Sequence, residues 1–311
     1  MEGDKLQSTL PHYAYLRIAD GCSNKCSYCA IPLIRGKMRS RKMENIIEEA
    51  KKFAENGVKE LVIVAQDVTA YGIDLYKKYA LPELLKQLCK IDGIKWIRLL
   101  YCYPERMTDE LIETIKTEDK VLNYIDIPIQ HCNKEILRNM YRGGDEQSLR
   151  ELFAKLRREI PGVVLRTTLI TGFPGETEEQ FSELAEFVND IKFERLGCFA
   201  YSAEEDTPAA EMPDQVDEGE RQRRADIITS EQEIRMGEYY AGMVGNTYEV
   251  VCEGFDRYSD MYFGRSMHFA PEIDGMIYFT SAKDKSPLTI GDFVNVKITD
   301  VLENNLLGER V

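Results

Sequence analysis

Long apolar runs are missing from this 311-residue chain. The best candidate, Leu61 to Ala65, falls far short of the ~18 consecutive apolar residues that a membrane helix takes. The opening Met1-Glu2-Gly3-Asp4-Lys5 has no apolar stretch of the secretory kind, so the expected compartment is the cytoplasm, with no membrane partner. A surplus of positive charge is missing too, since 40 Lys and Arg against 54 Asp and Glu leave a net charge of −14. Chains that bind nucleic acid through its phosphates usually present a basic face. The average field here repels polyanions, and a small molecule or a basic protein suits it better. Evenly spread cysteines are also missing: the eight fall at 22, 26, 29, 89, 102, 132, 198 and 252. A disulfide framework belongs to short secreted chains. In a reducing compartment, three cysteines within eight residues read as metal ligands. The other five have no ligand spacing and read as small buried hydrophobes.

The chain has 43% apolar and 30% charged residues, an ordinary globular balance that excludes collagen, mucin-like stalks and long disorder. Its length fits about two domains. Six apolar, β-branched or aromatic runs predict strands: Tyr13–Ala19, Glu60–Gln66, Trp96–Tyr101, Tyr124–Ile129, Val163–Ile170 and Leu196–Tyr201. Helical periodicity lies between most of them, with Ile46, Ala50, Phe53 and Ala54 forming one stripe closed by Gly57. Further helices are expected over Leu81–Ile91, Thr108–Ile115, Lys134–Tyr141 and Leu149–Glu159. Thr177 and Gln180 form a capping-box signature. Strands alternating with helices imply a parallel sheet, and six such units are too few for a closed eight-stranded barrel. The expected α/β fold is an open (βα)6 partial TIM barrel with its chemistry at the strand C-termini. Residues 204–219, with seven acids and two prolines, read as an exposed connection, and Glu220–Tyr240 as one long helix. From Gly245 short strands take over and predict a small all-β barrel of net charge −5. The expected division is 1–203, 204–244 and 245–311.

The sharpest feature is Cys22-Ser-Asn-Lys-Cys26-Ser-Tyr-Cys29, directly after the first predicted strand. Three thiolates on one loop suit an iron–sulfur cluster whose fourth iron stays open to a small molecule. Structural zinc is the alternative, but it takes four ligands, and the nearest histidine, His12, precedes the strand. Arg166 is a charge in an otherwise apolar strand and requires an anionic partner. Arg35, Lys37, Arg39, Arg41 and Lys42 form a basic run beside the cysteine loop, read either as a solvated loop or as a contact surface.

The cysteine spacing, with Tyr28 before the last cysteine, resembles that of the radical S-adenosylmethionine enzymes. The resemblance implies a 4Fe-4S cluster on Cys22, Cys26 and Cys29. Its open iron chelates S-adenosyl-L-methionine, and the cofactor, not a catalytic side chain, carries the radical chemistry. Cys29-Ala-Ile-Pro32, Arg35-Gly36, Arg39-Ser40-Arg41, Gln66–Gly72, Pro128-Ile129-Gln130-His131 and Gly172–Thr177 resemble the methylthiotransferase branch. The tail resembles its TRAM domain. Arg166-Thr167-Thr168, Tyr201-Ser202 with Glu204-Glu205, and Ala270–Gly275 resemble the RimO-like subgroup, which adds a methylthio group to an aspartate β-carbon of ribosomal protein S-twelve. The rival subgroup acts on isopentenyl-adenosine in tRNA. A second rival is a non-enzymatic ribosome-binding module with a structural cluster.

The family resemblance implies Tyr28, Gln66, Gln130, Arg166 and Gly172 as cofactor contacts, Arg166 through the cofactor carboxylate. His131 is expected to line the site. The expected partners are S-twelve, through the acidic TRAM domain, the ribosome, and a flavodoxin or ferredoxin as electron donor. The branch also carries an upstream domain with a second cluster, and from the start of this sequence that domain is expected to be missing. A truncated chain of this kind is expected to hold one cluster and to fall short of complete methylthio transfer.

Overall fold

A computed structural model describes residues 8–282 and 285–311 of the chain; Met1–Lys5 lie outside the described residues. β1 (Tyr13–Arg17) leads into a loop carrying β2 (Ala19–Asp20), the short helix α1 (Ile31–Arg35) and β3 (Arg39–Ser40). There follow α2 (Met43–Glu55), β4 (Glu60–Val64), α3 (Leu81–Leu88), β5 (Trp96–Leu99), α4 (Asp109–Thr117) and β6 (Val121–Asp126). Then come α5 (Lys134–Asn139), α6 (Glu146–Glu159), β7 (Val164–Thr171), α7 (Glu178–Ile191) and β8 (Arg195–Ala200). Strands β1, β4, β5, β6, β7 and β8 pair in that order, all parallel, in a six-stranded sheet. This is the open partial barrel that the βα rhythm predicts.

Helices cover one sheet face, so the strands are near-continuous apolar runs. In β4, Leu61 and Ile63 pack into the helix-side core, while Val62 joins Tyr13, Trp96 and Tyr124 on the inner face. Side chains set the helix starts. Thr108 Oγ1 accepts from Leu111 N at 3.2 Å, and Thr177 with Gln180 forms the expected capping box. Asp145 with Ser148 forms another, so α6 begins at Glu146, three residues ahead of the Leu149 that periodicity marks. α5 stops at Asn139, short of Tyr141, whose φ of 57° is left-handed.

The long helix α8 (Glu218–Met243) does more than connect. Its Ile228 is fully buried in the sheet's core, and Gln232 Nε2 donates to the Phe193 carbonyl at 3.1 Å. Arg224 pairs with Glu176 at 2.8 Å. An open sheet leaves an unpaired edge, and a covering helix is one remedy.

The last five strands are β9 (Thr247–Asp256), β10 (Met261–Ser266), β11 (Ile277–Thr280), β12 (Phe293–Leu302) and β13 (Asn305–Arg310). They close a barrel in the order β10-β11-β13-β12-β9. This small barrel seats on the N-terminal ends of the sheet strands. Glu60, the first residue of β4, accepts from Arg98 Nε at 2.7 Å and from Arg265 Nη2 at 2.8 Å. Arg265 Nε also reaches Glu253 at 2.8 Å, and His12 Nε2 lies 3.0 Å from the same carboxylate. Tyr13 and Tyr124 donate to Glu272 and Asp274, each at 2.8 Å. Val251 and Ala270 share a buried cluster with the inner-face residues of the sheet.

Candidate functional site

The strand C-termini open on a cavity of about 500 Å³. Cys22, Cys26 and Cys29 line it together with Gln66 after β4, Tyr103 after β5, Gln130 after β6 and Thr168 of β7. The loop that carries the cysteines is held from both sides. Cys22 N donates to the Gly36 carbonyl at 3.1 Å, and Cys29 N to the Cys26 carbonyl at 3.1 Å. Gly21 has φ 75°, and a Cβ there would lie 2.5 Å from the Lys37 oxygen, so only glycine fits. Asn24, between the first two cysteines, donates to Asp67 Oδ2 at 3.0 Å and accepts from Arg106 Nη2 at 2.8 Å. Arg106 closes the triangle on Asp67.

All three cysteines are free and half-buried. Burial pushes the Cys22 thiol up, opposed by the Asn24 N–H, and does the same at Cys29 against the Ile31 N–H. A metal overrides such a preference, because a coordinated thiol is deprotonated outright. Among the described residues, no three His, Cys, Asp or Glu side chains converge to hold a single ion. The thiols instead range around one cavity, which suits a multi-iron cluster held by cysteine sulfur. A second observation fits a bound molecule there. Gln66 Oε1 is buried without a partner among the described residues. Leaving such an atom unsatisfied costs about 1–3 kcal/mol, so the cavity wall is prepared for a donor. Gln130 has φ 71°, rare for a side chain of its size. Its N donates to the Thr168 carbonyl and its own carbonyl accepts from Ile170 N, both at 2.9 Å. That pinned bridge turns the Gln130 side chain toward the cavity.

Two expected cofactor contacts lie elsewhere. Arg166 is near the start of β7, away from the cysteine cavity, and lines a separate one facing the small barrel. Its anionic partner is Asp126 of the neighbouring strand, 2.9 Å away, not a cofactor carboxylate. Gly172 does allow a close approach, but by α8: a Cβ there would lie 2.3 Å from Arg221 Cγ. Its N–H goes to the Glu176 carboxylate at 3.0 Å. His131 is fully buried behind the site, its Nδ1 accepting from Asn133 N at 2.9 Å and its Nε2 3.5 Å from Glu176.

The basic run divides. Arg41 is mostly buried against Glu49, while Arg35 and Arg39 stand half-exposed within 3.7 and 3.5 Å of Asp20. Cys102, Cys132 and Cys252 are buried as expected, whereas Cys89 and Cys198 are only half-buried, their thiols still pushed up to about 12 by desolvation. Sequence reasoning missed Asn24, Tyr103 and Arg142 in the cavity wall. Asn24 lies inside the cysteine loop and was within reach of inspection. Tyr103 and Arg142 sit beyond strand and helix ends, where periodicity is silent.

Residues 16–188 match the Radical SAM superfamily, and residues 244–311 match the TRAM domain. Among curated relatives, the ribosomal protein uS12 methylthiotransferase RimO of Clostridium botulinum (strain Hall) is 50% identical over 307 residues, 99% of this chain and 68% of that one. Its counterpart in Caldanaerobacter subterraneus is 50% identical over 305 residues, 98% and 69% of the two chains. Among solved structures, the radical S-adenosylmethionine methyltransferase TsrM from Kitasatospora setae superposes with a TM-score of 0.53 at 16% identity, covering 64% of this chain and 38% of that one. Coproporphyrinogen III oxidase (HemN) from Escherichia coli gives 0.52 at 18% identity, covering 75% and 54%. These structures share the fold alone. The sequence matches make the chain a radical SAM protein with a C-terminal TRAM domain. It belongs to the family of ribosomal protein uS12 methylthiotransferases.

Proposed function

We propose that the chain binds a 4Fe-4S cluster through Cys22, Cys26 and Cys29, takes S-adenosylmethionine beside it, and supplies the radical step in methylthiolation of an aspartate β-carbon of ribosomal protein uS12, falling short of complete transfer by itself. The observation that carries this reading is the set of three free thiols from one loop around a cavity at the strand C-termini. Cys22, Cys26 and Cys29 would hold the cluster, and the chemistry it would supply when reduced is one-electron cleavage of S-adenosylmethionine. The protein's share is binding and exclusion of water. Gln66 Oε1 is the free acceptor for a bound molecule, Gln130 is fixed by its strained backbone, and the ring of Tyr28 walls the cavity.

Substrate identity rests on the uS12 relatives. A basic ribosomal protein complements a chain of net charge −14 and a C-terminal segment of net charge −5. The TRAM barrel, seated at the strand N-termini, serves as a remote anchor in this reading. The acidic stretch 204–218 is the nearer surface, because Ala209 N donates to the Ser27 carbonyl of the cysteine loop at 2.9 Å. A low-potential flavodoxin or ferredoxin fits as the electron donor.

The test is anaerobic reconstitution with iron and sulfide, followed by S-adenosylmethionine and dithionite, with Cys26→Ala alongside. The expected result is 5′-deoxyadenosine from the wild type only. A chain fully loaded with iron and sulfide that forms none refutes the reading. Binding to uS12 is expected to exceed binding to tRNA at every salt concentration, and the reverse order overturns the substrate assignment.

A further inference from the structure

Arg142 is a buried cation with no carboxylate at ion-pair distance among the described residues, Glu105 acting on it only from farther away. It lies just beyond α5, is 9% exposed, and forms no ion pair among the described residues. Its Nη2 donates to the Pro128 carbonyl at 2.8 Å and its Nη1 lies 3.5 Å from Tyr28 Oη. The guanidinium sits over the ring of Tyr103, 4.1 Å from the centroid. Arg106 lies 4.6 Å from the centroid of the same ring, so two cations pack against Tyr103. The Tyr103 hydroxyl is 4.0 Å from Cys26 Sγ. Arg142, Tyr28, Tyr103 and Cys26 all line the one cavity.

Burying a guanidinium unpaired is costly, and natural chains place a counter-charge beside it. Every other deeply buried arginine in the barrel and TRAM core has one: Arg98 has Glu60, Arg265 has Glu60 and Glu253, Arg224 has Glu176, and Arg195 has Asp274. Arg142 instead has Tyr28, Tyr103 and Cys26 as its main charge neighbours, with Glu105 after them. The opposite side of the loop is electrically different, because Asp67 stands near Cys22. Arg142 and the hydroxyls of Tyr28 and Tyr103 therefore gather at the Cys26 corner.

We propose that Arg142 is a positioning residue for the cluster, which with the Tyr103 hydroxyl stabilises the negative charge gained at the Cys26 corner when the bound cluster takes one electron. This inference rests on the cysteine assignment above. The electron comes from a low-potential donor, dithionite in the test, which is oxidised in return. Hydrogen bonds and charge beside cluster sulfurs are known levers on reduction potential. Once the site is loaded, the Cys26 thiolate can only accept, so Tyr103 must donate. Arg142 acts at its position between Tyr28 and Tyr103.

The experiment is a redox titration of the reconstituted full chain, followed by electron paramagnetic resonance and without S-adenosylmethionine. Iron and sulfide are counted for each variant. Arg142→Met is expected to load a cluster but to lower its reduced-to-oxidised ratio at least tenfold at a fixed solution potential, ~59 mV for one electron. Tyr103→Phe, which removes only the hydroxyl, is expected to shift it in the same direction by less. Arg142→Lys is expected to restore most of the loss. A loaded Arg142→Met and a loaded Tyr103→Phe that both titrate with the wild type overturn the proposal. If Arg142→Met does not fold, Tyr103→Phe decides alone. A folded wild type that takes up no cluster is the separate outcome that sinks the cysteine assignment, and this inference with it.

Discussion

Replacing Glu60 with glutamine tests what fastens the TRAM barrel to the sheet. Glu60 is fully buried and meets two guanidiniums, Arg98 at 2.7 Å and Arg265 at 2.8 Å. Burial alone pushes its carboxyl up, but Arg265 and Arg98 outweigh burial and hold it at about 2, against 4.5 for a free side chain. At 1.36 kcal/mol per pH unit, that difference carries about 3 kcal/mol of pH-dependent stability. Removing one partner of a buried ion pair costs about 3–5 kcal/mol by a separate route, so the two magnitudes agree. Because the folded value is depressed, the contribution is full above pH 4.5 and is lost as the pH falls towards 2. Glu60→Gln should therefore melt roughly 5–10 °C below the wild type at pH 7 by circular dichroism. The gap should narrow as the pH falls below 4.5, because the wild type is then losing the same charge. An unchanged melting temperature at pH 7, or a gap that stays constant down to pH 3.5, refutes the reasoning.

Other perturbations follow from the same geometry. Gly172→Ala forces a side chain onto a backbone with φ 67° and to within 2.3 Å of Arg221 Cγ. A loss of about 2–4 kcal/mol is expected in denaturant unfolding. His268 is half-buried and held at about 4, against 6.5 when free, by desolvation and then by Arg195 and Arg98. A depressed histidine contributes stability above pH 6.5 that is lost as the pH falls through 4, and His268→Gln should flatten that part of the stability curve. Thr177→Ala removes the α7 capping box and should cost about 1 kcal/mol, read from the same unfolding curves.

Much of this was legible in the sequence because periodicity reports burial. The six sheet strands and most helices are apolar patterns that pay no attention to distant partners. The cysteine loop is legible because a short spacing fixes three sulfurs near one another without tertiary information. Arg166 was half legible. Its need for an anion follows from a charge in an apolar strand, but the identity of that anion does not. Asp126 lies on another strand, and only the parallel register sets Asp126 opposite Arg166. Gly172 shows the same limit, since its tight neighbour Arg221 arrives from α8. β13 carries no legible strand signal, because Asn305-Leu-Leu-Gly-Glu-Arg310 has only two apolar residues, too few for a pattern.

The charges of the chain sort by the two ends of the sheet. At the N-terminal end, burial is reconciled with charge by pairing: Glu60, Arg98, Arg265, Glu253 and His12 form a linked set. Such a network sets each carboxylate against a guanidinium and fixes the TRAM barrel in one place, although Arg98 Nη2 and His12 Nδ1 have no hydrogen-bond partner among the described residues. At the C-terminal end, among the described residues, Gln66 Oε1 lacks a donor and Arg142 has no carboxylate at ion-pair distance. Both residues line the cysteine cavity. Unsatisfied groups destabilise a folded chain, so they persist where a bound molecule satisfies them. A bound cluster and cofactor should thus raise the melting temperature through this end of the sheet. Arg142→Met should shrink that gain while leaving the pH response of Glu60 untouched, because the two ends share no ion pair among the described residues. Loss of both in the single variant would mean that the ends are coupled through the strands, and the division drawn here would fail.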